Sequence, residues 1–522
     1  MKCIIFATDE NIVKRSSGSS RFQDLIMMNL SYCDEYIIIG NASLREELFM
    51  QADEISEISY RVMEVENEEK MKSLKKAFEE CGEEKYYIVA DNNPLADYGF
   101  LGRQYKECML GAIKNLKLNK VSRISVDGSN GERQSVCYVF DKDVLLNNEK
   151  DENSTSFSDE IAKSDDSSSD FDDEELYITS AKNDKLGKDD NNNLTKAEKE
   201  MPPMIKLSPA FKDYLWGGTK LKEKFGKESD LDIVAESWEL SAHPDGRSKV
   251  VRNSDDMADM YFDELTAKAG KEILGWKCRY MSDFPILIKF IDAKNPLSIQ
   301  VHPNDDYALM YEDEYGKNEM WYILEAEEGA GIYCGFNRET SKEEVRKKIE
   351  DNTILEILNR VPAKKGDVFF IKAGTVHAIG AGIMICEIQQ SSNCTYRLYD
   401  YDRKDKFGNK RELHIDKALD VLNFSKYEGQ NIKDSEKNVN GNIEKRLAYC
   451  KYFNCVGYTV KKKMEIEISE KSFKSLICVD GFGKIRMEGE EIEFKKGDSI
   501  FIAAGKKKAY VDGECELVIT EV

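Results

Sequence analysis

The stretch from Asp151 to Glu200 most restricts what this chain can fold into. It holds sixteen acidic residues against six lysines, a formal charge of −10, in runs such as Ser164-Asp165-Asp166-Ser167-Ser168-Ser169-Asp170. So few apolar side chains cannot offset the entropy of ordering such a segment, and residues 148–203 are expected to form a disordered acidic linker. One run within it, Glu175-Leu176-Tyr177-Ile178-Thr179, has strand character. It is read as part of the solvated linker, with a short strand or a docking motif as the alternative. A chain of 522 residues divided in this way must build separate cores on either side, and about two to four domains are expected.

Residues 1–147 alternate short apolar runs with helix-like segments: Cys3–Ala7, Tyr36–Gly40, Tyr60–Val65, a helical pattern around Met71–Phe78, then Tyr86–Asp91. That order predicts an α/β domain with a mostly parallel sheet. Ligands of such sheets bind at the strand carboxyl ends, where Thr8-Asp9 and Asp91-Asn92-Asn93-Pro94 fall. From residue 204 the pattern changes to many strands separated by Gly, Pro, Asn and Asp turns, a mainly-β region of barrels or sandwiches. Helices are inserted near Asp259–Leu274 and Ser341–Leu358, and in the second Glu343 and Glu344 are spaced to pair with Lys347 and Lys348. An internal echo predicts two barrels: Lys495-Lys496-Gly497-Asp498-Ser499-Ile500-Phe501-Ile502 repeats Lys364-Lys365-Gly366-Asp367-Val368-Phe369-Phe370-Ile371. Where the first copy continues to Thr375-Val376-His377, the second has Lys506-Lys507-Lys508, so the barrel at 440–522 is expected to be metal-free.

A net charge of −22 argues against nucleic acid and anionic membranes as partners, since both demand a basic surface. No run approaches the roughly 18–20 apolar residues that cross a bilayer, and the start reaches Asp9 too soon for a signal peptide, so a cytoplasmic protein is expected. The thirteen cysteines include no Cys-x-x-Cys pair, which fits reduced packing thiols.

The chemistry-bearing residues lie in the first barrel. In Ser298-Ile299-Gln300-Val301-His302 a strand sends Ser298, Gln300 and His302 to one face and Ile299 and Val301 to the other. Glu319 opens the next apolar run, Met320–Leu324, and a hairpin return brings it towards His302. His377 follows Val368–Ile371 and a glycine turn. Two imidazoles and a carboxylate suit zinc, with manganese or iron as alternatives, and leave positions open for water or substrate. A lone histidine beside an apolar run is more often a hydrogen-bonded structural residue, and it is the joint pattern that argues for a metal.

The motifs Tyr214-Leu215-Trp216-Gly217-Gly218, Ala235–Pro244, Ile286–Phe290, Ser298–Pro303, Asn318–Tyr322, Ala373–Ala378 and Tyr396–Asp400, in this order, resemble the short bacterial type of mannose-6-phosphate isomerase, a metal-dependent cupin enzyme. The resemblance covers residues 204–424 and, more loosely, runs to 522. It implies a jelly-roll-like double cupin and interconversion of mannose 6-phosphate and fructose 6-phosphate through an enediol. Zinc would be held by Gln300, His302, Glu319 and His377, and the substrate would be a small phosphorylated hexose. Arg397 resembles the family's active-site arginine and would hold the enediolate or the phosphate. Glu387 is the proposed base, with His302, Lys289 or a metal-bound water as alternatives. Lys289 is an inward cation, and with Ser298 and Arg397 it would contact substrate. Without the resemblance, Arg397 reads equally as a surface partner of Asp400 or Asp402. His243 and His414 are read as structural or substrate-rim residues, and Lys372 stands where this family often has proline.

The amino-terminal domain resembles, weakly, the nucleotide-sugar pyrophosphorylases. Asp91 matches their metal-binding aspartate, but Thr8-Asp9-Glu10-Asn11 replaces the glycine-rich loop, which fits a degenerate relative with a regulatory or assembly role. Two other functions compete with the isomerase: a noncatalytic cupin that senses sugar or metal, and a bifunctional enzyme with an amino-terminal nucleotidyltransferase. A protein partner would dock on the amino-terminal domain or the linker.

Overall fold

The computed structural model describes residues 201–522 except 252–258, 280, 282, 405–407 and 430–435. Before them it describes residues 2–7, 15–16, 19–29, 33, 35–40, 44–55, 58–64, 86–90, 122–127, 133–141 and 174–178. The chain divides into two units, Met1–Glu200 with Trp276–Ser282, and Met201–Gly275 with Asp283–Val522. No described helix is long and apolar enough to cross a membrane.

In the first unit the strand Lys2–Ala7 runs parallel to Glu35–Gly40 on one side and to Tyr86–Ala90 on the other, and Glu35–Gly40 is parallel to Ser59–Glu64. Cys3, Ile4, Ile5 and Tyr36–Ile39 are buried without alternation, as expected where a parallel sheet is covered on both faces. Farther along the sheet, Arg133–Asp141 is antiparallel to both Tyr86–Ala90 and Ser122–Asp127. The sheet is therefore mixed, with four of its six pairings parallel. One expectation is corrected: Glu174–Ile178, assigned to the solvated linker, is a strand parallel to Ser122–Asp127. An open sheet edge presents unpaired main-chain groups, and the β-propensity of Leu176-Tyr177-Ile178 prevails locally over the acidic surroundings. Thr8-Asp9, Asp91, the Met71–Phe78 pattern and most of 148–203 lie outside the described residues.

The second unit is largely antiparallel β-structure. A six-stranded sheet has the order Ala210–Lys212, Glu236–Leu240, Ile286–Ala293, Ile383–Gln390, Glu319–Ala326, Val368–Ile371. A five-stranded sheet has the order Leu358–Pro362, Gly331–Phe336, His377–Ala378, Ile299–Val301, Tyr396–Tyr399. Trp216, Ile291, Trp321, Ile323, Ile332, Cys334, Ile379 and Ile385 share a buried core that joins the two sheets into the first barrel. The second barrel is a ten-stranded sheet built around the long strands Lys474–Met487 and Lys507–Glu521. Its interior is filled by apolar side chains, among them Met464, Ile466, Leu476, Ile485, Phe494, Ile500 and Leu517.

The internal echo is a repeated local structure. Gly366 and Gly497 both take positive φ, 89° and 92°, which glycine adopts without strain. In each turn the aspartate accepts from the main-chain N–H three residues back, Asp367 from Lys364 at 2.9 Å and Asp498 from Lys495 at 2.8 Å. Strand pairing draws the boundary between the barrels differently from the expected 204–424 and 440–522, because Met204–Ser208 pairs with Ser499–Ile502 and so belongs to the second barrel's sheet. The inserted helices form at Phe262–Ala269 and Lys342–Glu350, the latter capped by the Ser341 hydroxyl accepting from Glu344 N. The expected pairing of Glu344 with Lys348 is replaced: Glu344 binds Arg338 and Lys348 binds Glu356, each at 2.6 Å.

The barrels are also joined by a dry ion pair. Lys227 Nζ lies 2.7 Å from the carboxylate of fully buried Glu239 and donates to the Gly497 carbonyl of the second barrel. Removing one partner of such a pair leaves a buried uncompensated charge. Lys227→Met is expected to lower the unfolding free energy by about 3 kcal/mol, read from the denaturant midpoint. The double variant Lys227→Met/Glu239→Gln should recover much of that loss.

Candidate metal centre

The strand Ile299–Val301 places the site by simple alternation. Ile299 and Val301 are fully buried in an apolar cluster with Phe336, Ile354, Val376 and Leu398, which turns Gln300 to the opposite face. Gln300 is paired with His377 on one neighbouring strand and with Arg397 on the other. Gly374, at φ 86°, donates its N–H to the His302 carbonyl at 2.9 Å and so ties the His302 segment to the turn before His377. Glu319 reaches the same space from the first position of its strand in the facing sheet.

Both histidines are held in one tautomer. His302 Nδ1 lies 2.8 Å from the Cys394 carbonyl, and His377 Nδ1 lies 2.8 Å from the Thr375 carbonyl. A carbonyl can only accept, so each Nδ1 carries the proton and each Nε2 a lone pair. Those lone pairs face a carboxylate: His302 Nε2 is 3.1 Å from Glu319 Oε1, and His377 Nε2 is 3.8 Å from Glu319 Oε2. His302 Nε2 is buried and makes no hydrogen bond. Protonation does not relieve the conflict, because burial and then the Lys317 charge push the His302 imidazole down to about 3, and burial lowers His377 as well. Burial alone would raise Glu319, but the Lys317 charge holds it well below the carboxylate range. The ligand atoms of His302, Glu319 and His377 all lie within 4.8 Å of one another. Three lone-pair donors converging in a dry barrel fit a divalent cation. Gln300 stands beside them with its amide nitrogen 3.4 Å from His377 Nε2, its Oε1 accepting from Ser298 Oγ at 3.2 Å. Serving as a ligand requires that amide to be turned.

Next to the cluster, strand register lines up Trp321, Glu387, Lys289 and Trp238 in one row across four strands. The Trp321 indole N–H bridges two carboxylates, donating to Glu387 Oε1 at 2.9 Å and Glu319 Oε2 at 3.1 Å. Lys289 Nζ sits 3.6 Å from Glu387 Oε2, 3.8 Å from Glu236 Oε2 and 4.6 Å from the centre of the Trp238 ring. Burial and then the charge of Glu319 push the Glu387 carboxyl up to about 7, a value suited to proton transfer near neutral pH.

Sequence reasoning missed Lys317, whose Nζ lies 2.9 Å from Glu319 Oε1, and the roles of Glu236 and Trp321 as hydrogen-bond partners. Parity offered a signal for Lys317, two residues before Glu319 and on the same face. Arg397 pairs with neither Asp400 nor Asp402. Arg403 and Arg411 hold Asp400, whereas Arg397 donates one bond to the Glu412 carbonyl at 2.9 Å and has a buried Nε without a hydrogen bond. Burial and then Arg411 lower the Arg397 guanidinium from its usual value. His414 clamps the Arg397 backbone, with Nδ1 accepting from Arg397 N at 3.3 Å and its own N–H donating to Arg397 O. His243 packs edge-on against Trp238 at 5.9 Å. A surface cavity of about 420 Å³ lined by Tyr307, Tyr311, Asp306 and Asp420 shares none of these site side chains.

Residues 204–336 match the family described as phosphomannose isomerase type I, catalytic domain, and residues 442–522 match the mannose-6-phosphate isomerase cupin domain. The mannose-6-phosphate isomerase of Streptococcus mutans is 37% identical over 304 residues, 58% of this chain and 93% of that protein. ManA of Bacillus subtilis, also a mannose-6-phosphate isomerase, is 36% identical over 319 residues, 60% of this chain and 98% of its own length. A crystal structure of the Bacillus subtilis mannose 6-phosphate isomerase superposes with a TM-score of 0.58 at 32% identity, covering 62% of this chain and 100% of that one.

The depressed imidazoles have a measurable consequence. Two ordinary histidines would cost a metal site about a hundredfold in affinity between about pH 7.5 and 5.5, because both must lose a proton to bind. Here burial pushes His302 down to about 3, so it stays neutral through that window, and burial lowers His377 as well, so the affinity for zinc is expected to fall by less than about tenfold, as read by competition with a chromophoric chelator.

Proposed function

Because this chain belongs to the mannose-6-phosphate isomerase family, we propose that its first barrel interconverts mannose 6-phosphate and fructose 6-phosphate. The observation that carries this reading is the buried meeting of His302 Nε2 and Glu319 Oε1, 3.1 Å apart, with the Glu387 and Lys289 pair alongside. Zinc is the ion we assign to His302, Glu319 and His377, with the turned Gln300 amide as a fourth ligand, and it would polarise the sugar oxygens at C1 and C2.

The rest of the reaction falls to this chain's own side chains. Glu387 removes the proton from C2 of the open-chain aldose, and the C–H electron pair becomes the C1–C2 double bond of the enediol as O1 takes a proton. Returning the proton to C1 while O2 loses its own gives the ketose, so no redox cofactor is consumed. The Trp321 hydrogen bond occupies Glu387 Oε1 and leaves Oε2 for the substrate. Lys289 supplies positive charge next to that carboxylate and is placed to hydrogen-bond a sugar hydroxyl, with Ser298 near the same face. Arg397 has an unused buried Nε for the enediolate oxygen or the phosphate, with the planar fork that such groups favour. His302 is a poor base, since Nδ1 holds its proton against the Cys394 carbonyl and Nε2 is the atom assigned to the metal.

In a coupled assay the metal-loaded protein should turn over mannose 6-phosphate, and chelation or His302→Ala should remove the activity. Glu387→Gln is expected to lower kcat at least about a hundredfold while bound metal, measured by elemental analysis, is retained. Glu387 must be ionised to act, so kcat/KM should rise with pH on the acid side. Its midpoint should lie at or below the metal-free value of about 7, because a bound cation offsets the Glu319 charge. Activity that survives verified metal removal would sink the metal-centred reading, and inertness towards every hexose 6-phosphate would sink the isomerase.

A further inference from the structure

The interior of the second barrel is lined by packed apolar side chains, yet one of its residues is wired to the metal centre. Tyr452 and Phe453 lie in the turn before the strand Asn454–Val460. Phe453 is buried and its ring lies 6.2 Å from that of Phe370 in the first barrel. Phe370 is in turn paired with Met320, next to Glu319. Beside this apolar anchor the Tyr452 hydroxyl donates to Asp305 Oδ2 at 2.5 Å.

Asp305 starts a chain of hydrogen bonds that ends at two ligand-bearing segments. Its Oδ1 accepts from Gly316 N at 2.8 Å and from Gln390 Nε2 at 3.0 Å. Gln390 Oε1 accepts from the main-chain N of Asn318 at 2.9 Å and from its side-chain Nδ2 at 2.7 Å. Asn318 Oδ1 accepts from Ala373 N at 3.0 Å. Asn318 immediately precedes Glu319, and Ala373 opens the turn that leads through Gly374 to His377. Asp305, Asn318 and Gln390 are at most 7% exposed, so water competes poorly for these bonds. Gly316 fits because a Cβ there would lie 2.3 Å from Asp305 N.

We propose that Tyr452 is a positioning residue for the metal centre: through Asp305, Gln390 and Asn318 it sets the strand start that carries Glu319 and the turn that carries His377. The second barrel thus has a part in the activity proposed above, on which this inference rests for its kinetic readout alone. Partners beyond the ligand shell act by fixing ligand orientation, and their loss weakens both metal affinity and turnover.

The test uses the full chain carrying Tyr452→Phe, which deletes one hydroxyl and keeps the ring, with Tyr458→Phe in the same barrel as reference. Tyr452→Phe is expected to weaken zinc binding about fivefold, to shift the visible absorption of the cobalt-substituted protein, and to lower kcat with KM changed less than about twofold. Gln390→Glu, which sets a second carboxylate against Asp305, should act in the same direction. It carries the test if Tyr452→Phe fails to fold. The double variant should lose no more than the worse single one, since the groups act in series. Unchanged metal affinity and cobalt spectrum in a folded Tyr452→Phe protein overturn the proposal, whatever happens to its melting temperature. Those two readouts do not depend on the sugar: an inactive wild type whose metal binding still responds to Tyr452→Phe would refute the isomerase and leave the positioning role standing.

Discussion

Two lone-pair atoms, His302 Nε2 and Glu319 Oε1, stand 3.1 Å apart in a dry barrel, and most of the surrounding structure is explained by that meeting. Main-chain carbonyls of Cys394 and Thr375 fix the tautomers that create it. Burial and Lys317 remove the easy escape of protonating the imidazole. Without a cation the arrangement costs free energy, because the buried His302 Nε2 is left without a partner and faces a carboxylate oxygen. With one, the same atoms become a preformed ligand set that binds without first releasing imidazole protons.

The charges around the centre follow from the same constraint. Glu319, Glu387 and Glu236 are buried within reach of two buried lysines, Lys317 and Lys289. Glu319, beside Lys317, is driven strongly towards ionisation. Glu387, buried and next to the ionised Glu319, is driven the other way. Two carboxylates bridged by one indole N–H thereby receive opposite protonation tendencies from their surroundings. In the proposed reaction that division would suit one to hold a metal and the other to exchange a proton.

Much of this was legible in the sequence where the information is local. Alternation in Ser298–His302 gave the facing of Gln300 correctly, and the repeated Gly-Asp turns announced two barrels because glycine at positive φ and an aspartate bonded three residues back are short-range devices. Long-range pairing was not legible. Nothing near Met204–Ser208 tells which strand it will meet, and nothing near Lys289 tells that Glu387 lies opposite in register. Lys317 stood two residues from a proposed ligand, yet its burial depends on elements distant in sequence. Glu174–Ile178 was misread for a related reason: composition describes the solvated average of a segment, whereas an open sheet edge selects one five-residue run within it.

The pairing of Met204–Ser208 with Ser499–Ile502 has a consequence for synthesis. The strand Met204–Ser208 leaves the ribosome roughly 290 residues before Ser499–Ile502 exists, a large sequence separation of the kind that slows folding. Until then the pairing open to it is the short one with Lys249–Val250, and its apolar residues, Met204, Ile205 and Leu207, lack the sheet that buries them in the folded chain. The solubilising charge of the acidic stretch just upstream sits where that exposure is longest.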